Sequence, residues 1–160
     1  MNEKHPSSHF IKKGGINASF GKLRKDEEIS KTLIMTIGLP RSGKSSWARS
    51  QNYPIVNPDS IRLALHGKPF DPESEPAVWF IALKMVQSLF LAGHNNVILD
   101  ATNLTKDRRL FWEKPEWNIR FHYIDTSKEI CIERAKKANK DYLIPVIEEM
   151  DQTKELEDII

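Results

Sequence analysis

From residue 31 onward, short apolar runs alternate with stretches of helical periodicity. Lys31 to Ile37 is a β-branched apolar run that predicts a buried strand. Lys44 to about Gln51 reads as a helix, "PIVN" (54–57) as a second short strand, and "DSIRLALHG" as a helix ended by Gly67. "KPFDPESEP" is a proline-rich loop with Pro76 well placed at a helix start. The longest helix is expected from Pro76 to Ala92. Val78, Ala82, Met85, Val86 and Leu89 share one side of it, while Trp79, Phe80, Leu83 and Phe90 make the other side apolar too. That pattern predicts a helix buried over much of its surface, packed as core rather than lining an aromatic pocket. "NVILD" (96–100) is a third strand, Lys106 to Trp112 a helix, "WNIRFHYID" (117–125) a fourth strand and "SKEICIERAKKANK" a helix, with Pro145 opening a last one. Strands alternating with helices imply a parallel sheet covered on both faces, an α/β/α three-layer sandwich.

Residues 1–30 show neither a period of 2 nor one of 3.6 and are expected to be a flexible extension, with residues 31–160 forming one domain. Charge adds little to this. The net charge is +2, and all of it lies in residues 1–30, where Lys22, Arg24 and Lys25 cluster; the remainder is neutral. A neutral body argues against coating long duplex but permits a binder of nucleic-acid ends, which needs few phosphate contacts. No secretory h-region or membrane-spanning run is present in these residues, and the lone Cys131 reads as a half-buried residue in a reducing compartment. A cytoplasmic protein without a membrane partner is therefore the expectation, in a host cytoplasm if the gene is a phage's.

The chemistry is concentrated in "GLPRSGKS". Gly38, Leu39, Pro40, Arg41, Ser42, Gly43, Lys44 and Ser45 match G-x-x-x-x-G-K-[ST] in full, between a strand and a helix. Gly38 and Gly43 allow close backbone approach, so that successive N–H groups can face an anion at the positive end of the helix dipole. Lys44 adds a mobile cation for the γ-phosphate, the Ser45 hydroxyl can ligate Mg²⁺, and Ser46 continues the anion-facing turn. ATP or GTP binding follows as the expectation.

Two further strand ends carry candidate groups. In "NPDSIR", Asp59 and Arg62 are three apart at a helix start, so both can face the cleft. A carboxylate there can accept the proton of an attacking hydroxyl while the guanidinium holds phosphate; a helix cap is the plainer role for Asp59. In "VILDATN", Asp100 tips a hydrophobic strand, where a carboxylate holds Mg²⁺ or anchors an acceptor. Thr102 and Asn103 either shape the acceptor pocket or cap the next helix, and Arg108 and Arg109 are either a solvated surface pair or phosphate contacts.

Residues 32 to about 150 resemble the kinase domain of phage and bacterial 5′-hydroxyl polynucleotide kinases, within the adenylate-kinase-like P-loop kinases. The likeness rests on "TIGLPRSGKSSWA", "NPDSIR" and "ILDATNLTKDRRLFWE", with Asp125 at a strand end before "CIERAKKANK". It implies an ATP- and Mg²⁺-dependent kinase with a small lid. Lys44 and Ser45 would bind the ATP phosphates and metal, Asp59 would be the general base, Arg62 would contact acceptor phosphate, and Asp100 would organise acceptor or metal. Arg134 matches the lid helix. The family's second lid arginine falls near Ala138, with Lys136, Lys137 or Lys140 to replace it, and Pro58 stands where the family has a basic residue. No phosphatase domain is expected within these residues. The acceptor implied is a nucleic acid, DNA or RNA, most directly a 5′-OH end. A kinase for hydroxymethyluracil bases in DNA, a small-molecule kinase and a non-catalytic ATP-binding module are the alternatives.

Overall fold

The computed structural model describes residues 29–159; the basic cluster of the expected N-terminal extension lies outside them. Four strands, β1 (Thr32–Ile37), β2 (Ile55–Val56), β3 (Asn96–Leu99) and β4 (Asn118–Tyr123), form one parallel sheet in the order β2-β3-β1-β4. Six helices alternate with them: α1 (Lys44–Ser50), α2 (Pro58–His66), α3 (Glu75–Leu91), α4 (Lys106–Leu110), α5 (Lys128–Lys137) and α6 (Ile144–Thr153). A parallel pair needs a crossover, and each crossover here carries a helix that covers a sheet face. The expected three-layer α/β/α architecture is the one observed.

The layers are unequal, for a reason visible in β1. Its odd positions Leu33 and Met35 face a large cluster built with Val97, Leu99, Ile61 and the inward stripe of α3, and Ile37 continues that row against Cys131, Ala135 and Ile147 of α5 and α6. The even position Ile34 meets only Ile98 and Ala48, beneath Trp47 of α1. Thr36 on that same side is polar and buried. Its Oγ1 donates to the Ala101 carbonyl at 2.9 Å and accepts from the Ala101 N–H at 3.1 Å, which ties the C-terminal end of β1 to the turn after β3.

Three expectations change. The long helix is not buried all round. Val78, Ala82, Val86 and Phe90, four apart, form a single buried stripe against α2, the sheet, Trp112 and Trp117, whereas Phe80, Met85 and Leu91 on the far side are exposed. Cys131 is fully rather than half buried. Arg109 is no surface residue: at 2% exposure it donates from Nη1 to the Asn103 carbonyl (2.9 Å) and from Nη2 to the Glu155 carbonyl (2.7 Å), and it pairs with Asp158. Glu155 also caps α4, accepting from the Lys106 N–H at 2.7 Å. The segment after α6 is thereby fastened under the turn that follows β3.

A buried guanidinium with several partners cannot be removed without orphaning the carbonyls it satisfies. Arg109→Ala is expected to cost about 3 kcal/mol, seen as a fall in Tm of roughly 6–12 °C for a domain of this size. Thermal unfolding followed by circular dichroism checks this; an unchanged Tm would remove Arg109 from the structural account.

Candidate active site

The C-terminal ends of β1, β2 and β3 converge on one cleft, as parallel sheets arrange their ligand sites. Residues 38–43 leave β1 and re-enter α1 as a tight loop. Gly38 is dictated by crowding, since a Cβ there would lie 2.8 Å from Ser42 Oγ and 3.0 Å from the Ile124 carbonyl. Gly43 holds φ at 109°, a conformation that disfavours any side chain. Arg41, exposed, also takes a left-handed φ of 67°. Local strain of this kind is what turns successive amides toward a common centre. Thr102 supports the loop from below, its carbonyl accepting the Gly38 N–H at 3.1 Å.

Lys44 is almost buried and folds over its own loop, donating to the Leu39 carbonyl at 2.6 Å and to Ser42 Oγ at 3.3 Å. Burial pulls its ammonium down to about 8, against the opposing pull of the Asp100 and Asp59 charges. Phosphate oxygens are the partners that would offset this burial and raise it again. Ser45 Oγ donates to Asp100 Oδ2 at 2.6 Å, and Asn57 Nδ2 donates to the same oxygen at 2.9 Å. A hydroxyl beside a buried carboxylate, facing a phosphate loop, is the sparse protein donor set Mg²⁺ takes when phosphates and water complete its shell. Ser45 and Asp100 fit such an ion, as the sequence indicates.

Asn57 does a second job. Its Oδ1 accepts the Ser60 N–H at 3.0 Å and caps α2, with Pro58 in the first turn. Asp59 is therefore not the cap of this helix. Its side chain is 79% exposed and, among the described residues, is held by Arg62 alone, Nη1 to Oδ1 at 2.7 Å. Arg62 is in turn gripped from the other side by Glu75, with Nε–Oε1 and Nη2–Oε2 both at 2.7 Å. These bonds raise the guanidinium pKa and hold the Glu75 carboxyl below its usual range. Glu75 Oε2 also accepts from Trp79 Nε1 at 3.1 Å, and Arg108 lies over the Trp79 ring at 3.7 Å.

On the opposite side of the loop, Arg134 of α5 donates from Nη1 to the carbonyls of Arg41 and Ser42, both at 3.1 Å. Thr126 Oγ1 donates to the Ser42 carbonyl at 2.9 Å. Arg134 thus reaches the phosphate loop as the motif implies. Lys137 does not: it forms an exposed pair with Glu133 one turn back, at 2.6 Å. Lys136 and Lys140 are exposed as well. Asn103 is also displaced from its expected role. It is buried, takes a φ of 45°, and donates from Nδ2 to the Thr36 carbonyl at 2.8 Å, a tie between β1 and β3 rather than a group open to acceptor; neither it nor Thr102 caps α4, which begins after Thr105. Ser46 is exposed on α1.

Three members of this site have weak sequence signals. Asn57 was readable from the N-P-D order, which marks a cap followed by proline in the first turn. Glu75 and Trp79 had no local signal, because their partner Arg62 is thirteen residues from Glu75 across a proline-rich loop.

A family model described as an AAA domain matches residues 33–155. A chain in the structure of the Pnkp1/Rnl/Hen1 complex is 27% identical, with a TM-score of 0.59 over 69% of this chain and 41% of that one. A chain in the structure of the Pnkp1/Rnl/Hen1 RNA repair complex, 19% identical, gives a TM-score of 0.61 over 82% and 48%. The chain thus spans less than half the length of either. A gluconokinase from Sinorhizobium meliloti 1021, 19% identical, gives a TM-score of 0.52 over 84% of this chain and 81% of that one.

The loop's own chemistry supplies a test. With Lys44→Ala, the cation that can follow the transferring phosphoryl group is lost, so ATP turnover is expected to fall by a factor on the order of 10²–10³. Far-UV circular dichroism should not change. A folded variant keeping more than about a tenth of the rate would defeat the assignment.

Proposed function

The chain belongs to the AAA-domain family as a P-loop kinase-like domain, and from that premise we propose that it transfers the γ-phosphate of ATP to a hydroxyl of a nucleic acid, the 5′-OH of a strand end. The observation that carries the proposal is the placement of Asp59. An exposed carboxylate is oriented by a guanidinium that is itself clamped by Glu75, two residues beyond the Asn57 that binds Asp100. A module that only bound nucleotide would need no such oriented base beside its phosphate loop.

In this reading the residues divide the work. The backbone N–H groups of Gly43, Lys44 and Ser45 at the start of α1, with the Lys44 ammonium, hold the phosphates, and Arg134 contributes charge from the lid side. Ser45 and Asp100 would hold Mg²⁺, which supplies charge neutralisation on the β- and γ-phosphate oxygens when bound. Asp59 accepts the proton of the attacking hydroxyl, while Arg62 fixes the Asp59 rotamer and offers its remaining N–H groups to acceptor phosphate. Phosphoryl transfer asks mainly for positioning and charge, and these residues provide both.

The choice of a nucleic acid is supported by the motifs shared with 5′-hydroxyl kinases and by the 27% identity with a chain of the Pnkp1/Rnl/Hen1 complex. The likeness to a gluconokinase is one of fold and makes a small polyol acid the control acceptor.

Asp59→Asn removes the proton acceptor and keeps the shape. It is expected to lower kcat by a factor on the order of 10²–10⁴ with nucleotide affinity nearly unchanged, as stopped-flow and equilibrium binding will show. The acceptor is identified by offering γ-labelled ATP with a 5′-OH oligonucleotide, an end-blocked duplex containing hydroxymethyluracil, and gluconate. Label on the oligonucleotide end is expected. Label on the blocked duplex or on gluconate alone would replace the acceptor while leaving the site residues in their roles.

A further inference from the structure

Beside Arg62 the cleft continues into an open groove of about 640 Å³ that the phosphate chemistry does not use. Its walls include Glu75, Trp79, Phe80, Arg108 and Phe111. Side-chain bonds link the groove to the candidate base, since Glu75 both lines it and clamps Arg62, and Arg62 holds Asp59.

Arg108 is the unusual member. Its guanidinium lies 3.7 Å from the Trp79 ring centroid, and among the described residues no carboxylate pairs with it and no hydrogen bond is made by it. It is half-buried, and burial pulls its pKa below the usual arginine range. The neighbouring Arg62 lies 5.8 Å from the same ring, but its charge is already met by Glu75 and Asp59. Thus Arg62 is paired with two carboxylates, whereas Arg108 feels the Glu75 charge without pairing to it and stacks on an indole. Phe80 is 59% exposed and Phe111 37%, so two further aromatic rings present area to the same space.

Flat rings and a guanidinium plane with free donors are what unpaired nucleobases bind, because every base has a π-face and edge or phosphate acceptors. Free guanidinium donors also favour a strand that carries phosphate over a neutral ligand. We propose that this groove, formed by Trp79, Arg108 and Phe111, is the seat of the unpaired nucleobase at the acceptor terminus, with Arg108 as the stacking and hydrogen-bonding residue. The assignment rests on the nucleic-acid reading of the site and adds to it a requirement: the terminal base must be single-stranded or splayed from its partner. The volume suits this ligand, lying within the range of pockets that hold small molecules. The groove makes the acceptor terminus a recognised nucleotide rather than a bare hydroxyl.

The test uses the full chain and two single-stranded oligonucleotides, one ordinary and one with an abasic 5′-terminal nucleotide. Both binding, by fluorescence anisotropy, and phosphorylation are measured for wild type, Arg108→Ala and Arg108→Lys. The wild type should bind the ordinary strand more tightly than the abasic one, by roughly five- to a hundredfold for one stacked base. Arg108→Ala should lose most of that preference with ATP affinity unchanged. Arg108→Lys keeps the charge without the plane and should recover binding of both strands but little of the preference. Equal binding of the two strands by wild type, or full preference in Arg108→Ala, would overturn the proposal. Base-dependent binding without phosphorylation would keep the groove and fail the kinase reading. Phosphorylation indifferent to the terminal base would keep the kinase and fail the groove. Absence of binding to either strand would remove both.

Discussion

One carboxylate oxygen organises the cleft. Asp100 Oδ2 accepts from Ser45 at the start of α1 and from Asn57 at the start of α2, at the end of the strand that lies between β1 and β2. Three chain segments far apart in sequence are thereby fixed at one point. The carboxylate is 5% exposed, and a buried charge is tolerated only with such partners. The Lys44 ammonium, close enough to feel its field, completes a small network of opposite charge. Break this junction and the phosphate loop, the proposed metal donors and the turn that carries Asp59 lose their common reference.

A second chain of contacts runs outward from it. Asn57 caps α2, and the first turn of that helix carries Asp59 toward solvent. Arg62 holds Asp59, Glu75 holds Arg62, and Trp79 donates to Glu75. Each link is a charge-assisted or directional bond, so the exposed carboxylate has an orientation that an isolated surface aspartate would lack. The exposed Asp59–Arg62 bond contributes little to stability. Its value is geometric, which suits the role proposed for Asp59. Structural strength is supplied elsewhere, by Arg109 and the segment after α6 beneath the turn that follows β3.

Much of this was legible in the residues. The phosphate loop, the four strands and the parallel sheet follow from local pattern, because each is encoded by glycine placement, β-branching or position at a strand end, whereas the bond between Ser45 and Asp100 joins residues that the sequence offered only separately. What escaped the sequence was long-range. Arg108 and Arg109 look alike in "KDRRL", yet helix geometry turns one toward Trp79 and the other into a buried nest of carbonyls. Asn103 resembles a pocket residue and is a backbone tie. The apolar Phe80 and Met85 suggested a helix buried over much of its surface, but hydrophobicity says what could be covered and only the topology says what is. The resemblance offered Lys137, with Lys136 or Lys140, as the second lid charge, yet Glu133 one turn away pairs with Lys137.

The account stands or falls on Asp100 as the group that joins metal to phosphate loop. The most direct measurement is the Mg²⁺ dependence of ATP affinity and turnover in wild type and in Asp100→Asn, with circular dichroism as the check on folding. The asparagine keeps the shape and can still meet Asn57 and Ser45, but it lacks the charge that draws a divalent cation. The Mg²⁺ concentration for half-maximal turnover is predicted to rise by roughly 10–100-fold in the folded variant, while ATP affinity without metal stays near the wild-type value. Superimposable Mg²⁺ curves for the two proteins would contradict the account.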